Sequence, residues 1–215
     1  MIIRSLNIGK PKQELFYGKA FLTGMCKQPV SGEIILSRHG FEGDGVGDLR
    51  HHGGEDKAVC AYSLDHYPYW ASTLSIMMPV AAFGENLSVE GLQEAEVRIG
   101  DVYRIGTAVV QVSQPRQPCN TLAARYGRED LIKLVQDSGR TGFYFRVLTE
   151  GRVQAGDAVV LIEQDGRGVT VSFANRIFHH DWRNRAGLEK VLSVPALSDS
   201  WKRSIRELLA RTSPY

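Results

Sequence analysis

The apolar residues of this chain change period once along its length, and that change limits the folds open to it. Up to about Glu163 they fall in short β-like runs separated by glycine-bearing turns. Beyond a polar linker, Gln164-Asp165-Gly166-Arg167-Gly168, they recur at helical spacing. Candidate strands cover residues 2–8, 32–37, 57–63, 108–113, 142–149 and 158–162. Many short strands without regular strand–helix alternation favour an antiparallel barrel or sandwich over a parallel α/β sheet. Two helical segments interrupt the series, one near residues 64–74 and one near 129–137. In the second, Leu131, Leu134 and Val135 share one face. After the linker, three stripes follow: Val171, Ala174, Ile177 and Phe178; Leu188, Val191 and Leu192; and Trp201, Ile205, Leu208 and Leu209. The expected architecture is therefore a mostly β barrel domain over residues 1–164 and a small three-helix segment over 168–215. The stripes must be buried on the barrel or on a second copy, so a homodimer is one expectation.

Composition narrows the function classes. With 43% hydrophobic and 23% charged residues, a sizeable core is available, and a net charge of +2 gives no reason to expect nucleic-acid or membrane affinity. No apolar run has the length of a membrane span, and Met1-Ile2-Ile3-Arg4 lacks a signal-peptide pattern. Three cysteines, an odd number with no CxxC pairing, argue for reduced thiols in a cytoplasmic setting. Cys60 lies in an apolar strand-like run and reads as core. Cys26 is uninformative.

Cys119 is the cysteine that invites chemistry. It ends Ser113-Gln114-Pro115-Arg116-Gln117-Pro118-Cys119, just after a β-branched run from Val109 to Val112. The two prolines stiffen the segment, so the thiol is expected to leave the strand on a rigid loop. Arg116 would favour its charged form. The bland alternative is a small buried hydrophobe. A second cluster spans residues 43–57, where glycines alternate with Asp44, Arg50, His51, His52 and Lys57. Such a backbone can approach a ligand closely and point amides at an anion. It has no Walker spacing, and the adjacent histidines lack partners at a recognised zinc spacing. A glycine-rich surface turn with incidental histidines is the competing reading. Phe83-Gly84-Glu85-Asn86-Leu87 and Gly139-Arg140-Thr141-Gly142 are weaker signals. The latter offers an arginine that could clamp a phosphate. His179-His180-Asp181 reads as a helix end, where imidazoles meet the dipole favourably, rather than as a metal site.

Taken in order, these segments resemble the MOSC domain family, the molybdenum-cofactor sulfurase C-terminal-like domains. The resemblance is strongest to the YiiM-like branch of 6-N-hydroxylaminopurine resistance proteins. It rests on Gly43-Asp44, His52-Gly53-Gly54 with Lys57-Ala58-Val59, His66-Tyr67 with Trp70, and Phe83-Gly84-Glu85-Asn86-Leu87. It continues through Gly100-Asp101, Ser113-Gln114-Pro115-Arg116 with Pro118-Cys119, Gly151-Arg152-Val153, Leu197-Ser198 and Trp201. It implies a MOSC-type β-barrel with a helical tail and a molybdenum cofactor whose metal Cys119 binds. It also implies reduction of N-hydroxylated bases and related compounds. Asp44, Gly53, Gly54, Lys57, Glu85, Asn86, Gln114, Arg116 and Arg140 are then the candidate cofactor-binding residues.

The chemistry agrees with this implication. A thiolate suits a metal held by soft sulfur donors, and His52 is the candidate proton donor. Electrons must come from a separate redox protein, because the sequence carries no flavin, haem or iron–sulfur motif. Two other classes stay open: a cofactor or sulfur carrier without turnover, and a metal-free thiol enzyme with Cys119 as nucleophile and His52 as base. None of the thiol-, glycine- or cation-bearing clusters falls beyond Gly168, so the tail is expected to serve stability or association rather than the metal chemistry.

Overall fold

A computed structural model describes residues 1–48 and 52–212; Arg50 and His51 lie outside them. Thirteen strands are found among the described residues. β1 is Ile2–Ile8, β2 Lys12–Phe16, β3 Lys19–Thr23, β4 Gln28–Pro29, β5 Ile34–Ser37, β6 Gly40–Phe41 and β7 Val59–Ser63. β8 is Leu87–Glu90, β9 Val102–Ile105, β10 Ala108–Pro115, β11 Phe143–Thr149, β12 Gly151–Val153 and β13 Val159–Glu163. Eight of them form one sheet in the order β13-β9-β10-β11-β7-β8-β1-β4. The sheet curls until its ends meet. Ile3 N donates to Asp157 O at 3.0 Å, Gly156 N to Ile3 O at 2.8 Å and Val159 N to Met1 O at 3.0 Å. Closure removes most of the unpaired edge that an open sheet would expose. The interior is filled by the alternating apolar residues that the sequence pattern singled out, among them Ile3, Val59, Ala61, Val110, Val112, Phe143 and Phe145.

One pairing departs from the antiparallel expectation. β7 and β8 run parallel, with Ala61 opposite Leu87, because a 3-10 turn at Leu64–His66 and helix α1 (Tyr67–Leu74) carry the chain back over the sheet. Helices α2 (Asn120–Tyr126) and α3 (Leu131–Ser138) pack with α1 around Tyr62, Trp70 and Phe83. The strand expected over 57–63 begins only at Val59, because Glu55–Lys57 forms a 3-10 turn.

The tail forms α4 (Val171–His179), α5 (Arg185–Leu192) and α6 (Asp199–Arg211). Thr170, Asn184 and Ser198 cap them by accepting backbone amide hydrogen bonds. Their stripes bury one another together with Ile99. His179 ends α4, but burial, with a smaller contribution from His180, pushes its pKa down to about 4. It is therefore neutral near pH 7, and burial outweighs the dipole attraction expected there.

Candidate active site

A cavity of about 470 Å³ opens at the barrel end where residues 44–48 and 52–58 meet the segment that follows β10. Cys119, His52, Asp44, Gly53, Gly54, Lys57, Asn86 and Arg116 all line it, so segments far apart in sequence share one wall. Strand β10 runs through Pro115, which pairs with Phe143 after a register shift between Val112 and Gln114. The expected stiff loop is therefore only a few residues long. Cys119 sits in extended geometry at the N-cap of α2, a helix that its short, half-exposed sequence did not announce. In the same lining, Gly54 has φ +99°, which glycine alone adopts without strain.

Two thiols line this cavity and differ sharply. Burial alone would raise Cys119, but the His52 hydrogen bond, the Arg116 charge and the Leu122 amide outweigh it and bring the thiol down to about 6. Cys60 is buried in β7, and desolvation pushes it up to about 11, against only partial relief from Arg116. Arg116 itself is 4% exposed. Its Nη2 donates to Phe83 O at 2.8 Å, whereas its buried Nη1 has no hydrogen-bond partner among the described residues. A buried guanidinium with one unsatisfied nitrogen is costly unless an anionic group completes it.

The floor is a buried polar network. Lys27 pairs with Asp44 Oδ1, which also accepts from Gly9 N at 2.8 Å. Asn86 Nδ2 donates to Asp44 Oδ2 at 2.7 Å, and Asn86 Oδ1 accepts from Cys60 N at 3.0 Å. Asn86 thus ties the Cys60 strand to the Asp44 loop. Lys27 escaped the sequence reading: it lies alone between Cys26 and Gln28, and only the fold brings it to the cavity.

Three candidates stand apart from the cavity lining. Glu85 is fully buried; its carboxylate accepts from Tyr67 Oη at 2.6 Å, Ser88 Oγ at 2.9 Å and Phe83 N at 3.0 Å. Gln114 accepts from Ser200 Oγ at 3.0 Å and donates to Pro115 O at 3.1 Å. Arg140 stacks its guanidinium 4.1 Å from the Tyr69 ring centroid, while its carbonyl accepts from Tyr62 Oη at 2.9 Å. Of these contacts only the one from Phe83 N to Glu85 involves a residue of the lining. No group of three or more His, Cys, Asp or Glu among the described residues is placed to hold a metal ion.

Against known proteins, residues 48–160 match the MOSC domain and residues 169–212 match the YiiM-like, 3-alpha helix domain. The chain belongs to the MOSC domain family. An uncharacterized protein YflK of Bacillus subtilis strain 168 is 50% identical over 212 residues, covering 99% of this chain and 96% of that protein. The crystal structure of YiiM from Geobacillus stearothermophilus superposes with a TM-score of 0.83 at 38% identity, over 96% of this chain and 98% of that one. A protein named reductase from Gibberella moniliformis strain M3125 / FGSC 7600 is 32% identical over 167 residues, which are 76% of this chain but 29% of that protein. The curled sheet followed by three helices is thus the architecture of YiiM structures.

Proposed function

We propose that this protein reduces N-hydroxylated bases such as 6-N-hydroxylaminopurine, and related N-hydroxylated compounds, with a molybdenum cofactor whose metal is bound by Cys119. The observation that carries the reading is the Cys119 thiol, held near pKa 6 in a cavity where burial would otherwise raise it. A thiolate is the ligand type such a soft, sulfur-rich metal centre takes from a protein. The surroundings fit the rest of the group. A thiolate that belongs to no group of three or more His, Cys, Asp or Glu among the described residues suits a metal that brings its own donors. The orphaned Nη1 of Arg116, with Lys57 and the Gly53–Gly54 backbone, suits an anionic cofactor. The homologue named reductase points to the same class of chemistry.

When bound, the cofactor supplies the two-electron redox chemistry. The chain's residues hold and orient. Cys119 anchors, Arg116 and Lys57 neutralise negative charge, and the Lys27–Asp44–Asn86 network fixes the floor beneath them. Converting R–NH–OH to R–NH₂ and water consumes two electrons and two protons. His52, hydrogen-bonded to the Cys119 thiol, is the residue placed to deliver a proton as the hydroxyl departs. The electrons come from a separate redox protein. The three free cysteines suit a reducing, cytoplasmic setting, and among the described residues no helix is long and apolar enough to cross a membrane.

The test is metal and pterin analysis of protein from a cofactor-competent host, followed by turnover of 6-N-hydroxylaminopurine with an artificial electron donor. Molybdenum in near-stoichiometric amount with turnover is expected. Molybdenum without turnover would replace the enzyme with a cofactor carrier. Absence of molybdenum alongside a reactive Cys119 would replace both with a thiol enzyme.

A further inference from the structure

The tail and the cavity meet at one place. Asp56 follows His52-Gly53-Gly54 and precedes the cavity-lining Lys57 and Ala58; Ser113 and Gln114 lie in β10 just before Arg116. Ser113 Oγ donates to Asp56 O at 2.5 Å, so these two site-bearing segments already touch. The start of α6 locks onto both. Ser198 N donates to Ser113 O at 3.0 Å, Ser200 Oγ to Gln114 Oε1 at 3.0 Å, and Asp199 N to Asp56 Oδ2 at 3.2 Å. Arg146 completes the knot. Its Nε and Nη2 hold Asp56 Oδ1 at 2.9 and 2.6 Å, while Nη1 reaches Ala196 O at 2.7 Å.

We propose that the first turn of α6 is a positioning strut that fixes the spacing between the His52–Lys57 segment and the Arg116–Cys119 segment. Asp56 and Ser200 act as positioning residues that touch no ligand. This rests on the assignment of Cys119 and His52 to the working site. It also revises the division of labour expected from the sequence, which gave the tail no part in the chemistry. The physical argument is geometric. A hydrogen bond from His52 to the Cys119 thiol tolerates little displacement. The strand and the turn that carry these residues join different elements, and the bonds to α6 restrain both from one rigid helix end. Simple packing of a tail on a barrel needs only apolar contact, which Ile99 and the helical stripes already provide. It does not call for paired polar bonds directed at the two segments that meet at the cavity.

The test uses the full-length, cofactor-free protein and reads two quantities. One is the rate of Cys119 alkylation by iodoacetamide at pH 7, located by mass spectrometry. The other is amide hydrogen exchange over residues 52–58 and 116–122. Asp56→Ala is expected to slow Cys119 alkylation on the order of tenfold, the scale on which small misplacements act, and to speed exchange in both segments while the exchange of β1 stays unchanged. Ser200→Ala removes one bond and should slow alkylation about threefold, within the range of a single hydrogen bond; Ser200→Thr, which keeps the hydroxyl, should restore the wild-type rate. If Asp56→Ala does not fold, the Ser200 pair decides. A Ser200→Ala protein with wild-type alkylation and exchange overturns the strut, as does an Asp56→Ala protein that loses thermal stability but keeps both readouts. Failure of the wild-type protein to take up molybdenum would count against the proposed function instead, since neither readout needs the cofactor.

Discussion

Cys119 and Cys60 face the same cavity and both feel Arg116; Cys60 is buried and Cys119 half-buried, and one thiol is brought down to about 6 while the other is pushed up to about 11. Desolvation is the largest influence on each and acts upward on each. The difference lies in placement. Cys119 sits at a helix start, with a histidine and an amide donating to it. Cys60 sits inside a strand whose own amide is already given to Asn86. Residue type therefore decides little about a thiol here; the donors aimed at the sulfur decide it.

Exchanging each thiol for a hydroxyl is the most severe way to break this contrast. Cys119→Ser should abolish molybdenum loading and turnover with the fold retained, because a hard hydroxyl is a poor substitute for a thiolate. Cys60→Ser should keep metal content and cost about 1 kcal/mol of stability for the polar group placed in β7, in the range found for buried hydroxyls. Metal analysis with thermal melts separates the two, and equal metal loss in both would end the distinction.

A smaller effect follows from removing the histidine. His52→Ala takes away the leading stabiliser of the Cys119 thiolate, so the midpoint of its alkylation should move up from near pH 6. Cys60 should stay unreactive until close to pH 11. An unmoved Cys119 midpoint would transfer the credit to Arg116 and the Leu122 amide.

The two thiols also have opposite signatures in stability against pH. Cys119 is depressed in the folded state below its ordinary value of 9.0. Its contribution is complete above about pH 9 and fades as pH falls toward 6. Cys60 is raised above the same ordinary value, so its contribution is complete below about pH 9 and fades as pH rises toward 11. Subtracting the melting curves of Cys119→Ser and of Cys60→Ser from wild type across pH 6 to 11 should give slopes of opposite sign in those two windows. The mildest expected change is Lys57→Glu, which should lower cofactor occupancy while moving the melting temperature by no more than a few degrees. Full occupancy in that variant would remove Lys57 from the anion site.

Much of this architecture is legible in the sequence, for identifiable reasons. Strands such as β10 and β11 are buried along most of their length and carry β-branched or aromatic runs. The tail stripes repeat at helical spacing. The stiff Pro115–Pro118 segment and the glycines around Asp44 mark the two sides of the cavity. What escaped has equally local causes. The β2–β3 hairpin is exposed on both faces, with Leu15, Tyr17 and Leu22 in solvent, so no alternation of apolar and polar residues announces it. Helix α2 buries only Leu122. The parallel β7–β8 pair depends on the path of a crossover, and Lys27 and Arg146 acquire their roles only from partners far along the chain.

Closure of the sheet carries a consequence for how the molecule forms. β1 finds β8 once residue 90 exists, and β4 takes the Asn7–Ile8 end of its other edge, but the Met1–Ile3 end of that edge waits for residues 156–159. During synthesis that end stays bare of partners through nearly the whole barrel. It is therefore the surface on which a nascent chain would pair with the wrong strand. Contacts this distant in sequence form slowly, and the ring can close only after the last strand has emerged. Closure of the ring is thus a late event, and the α6 contacts with Asp56 and Ser113 involve residues that follow the last strand.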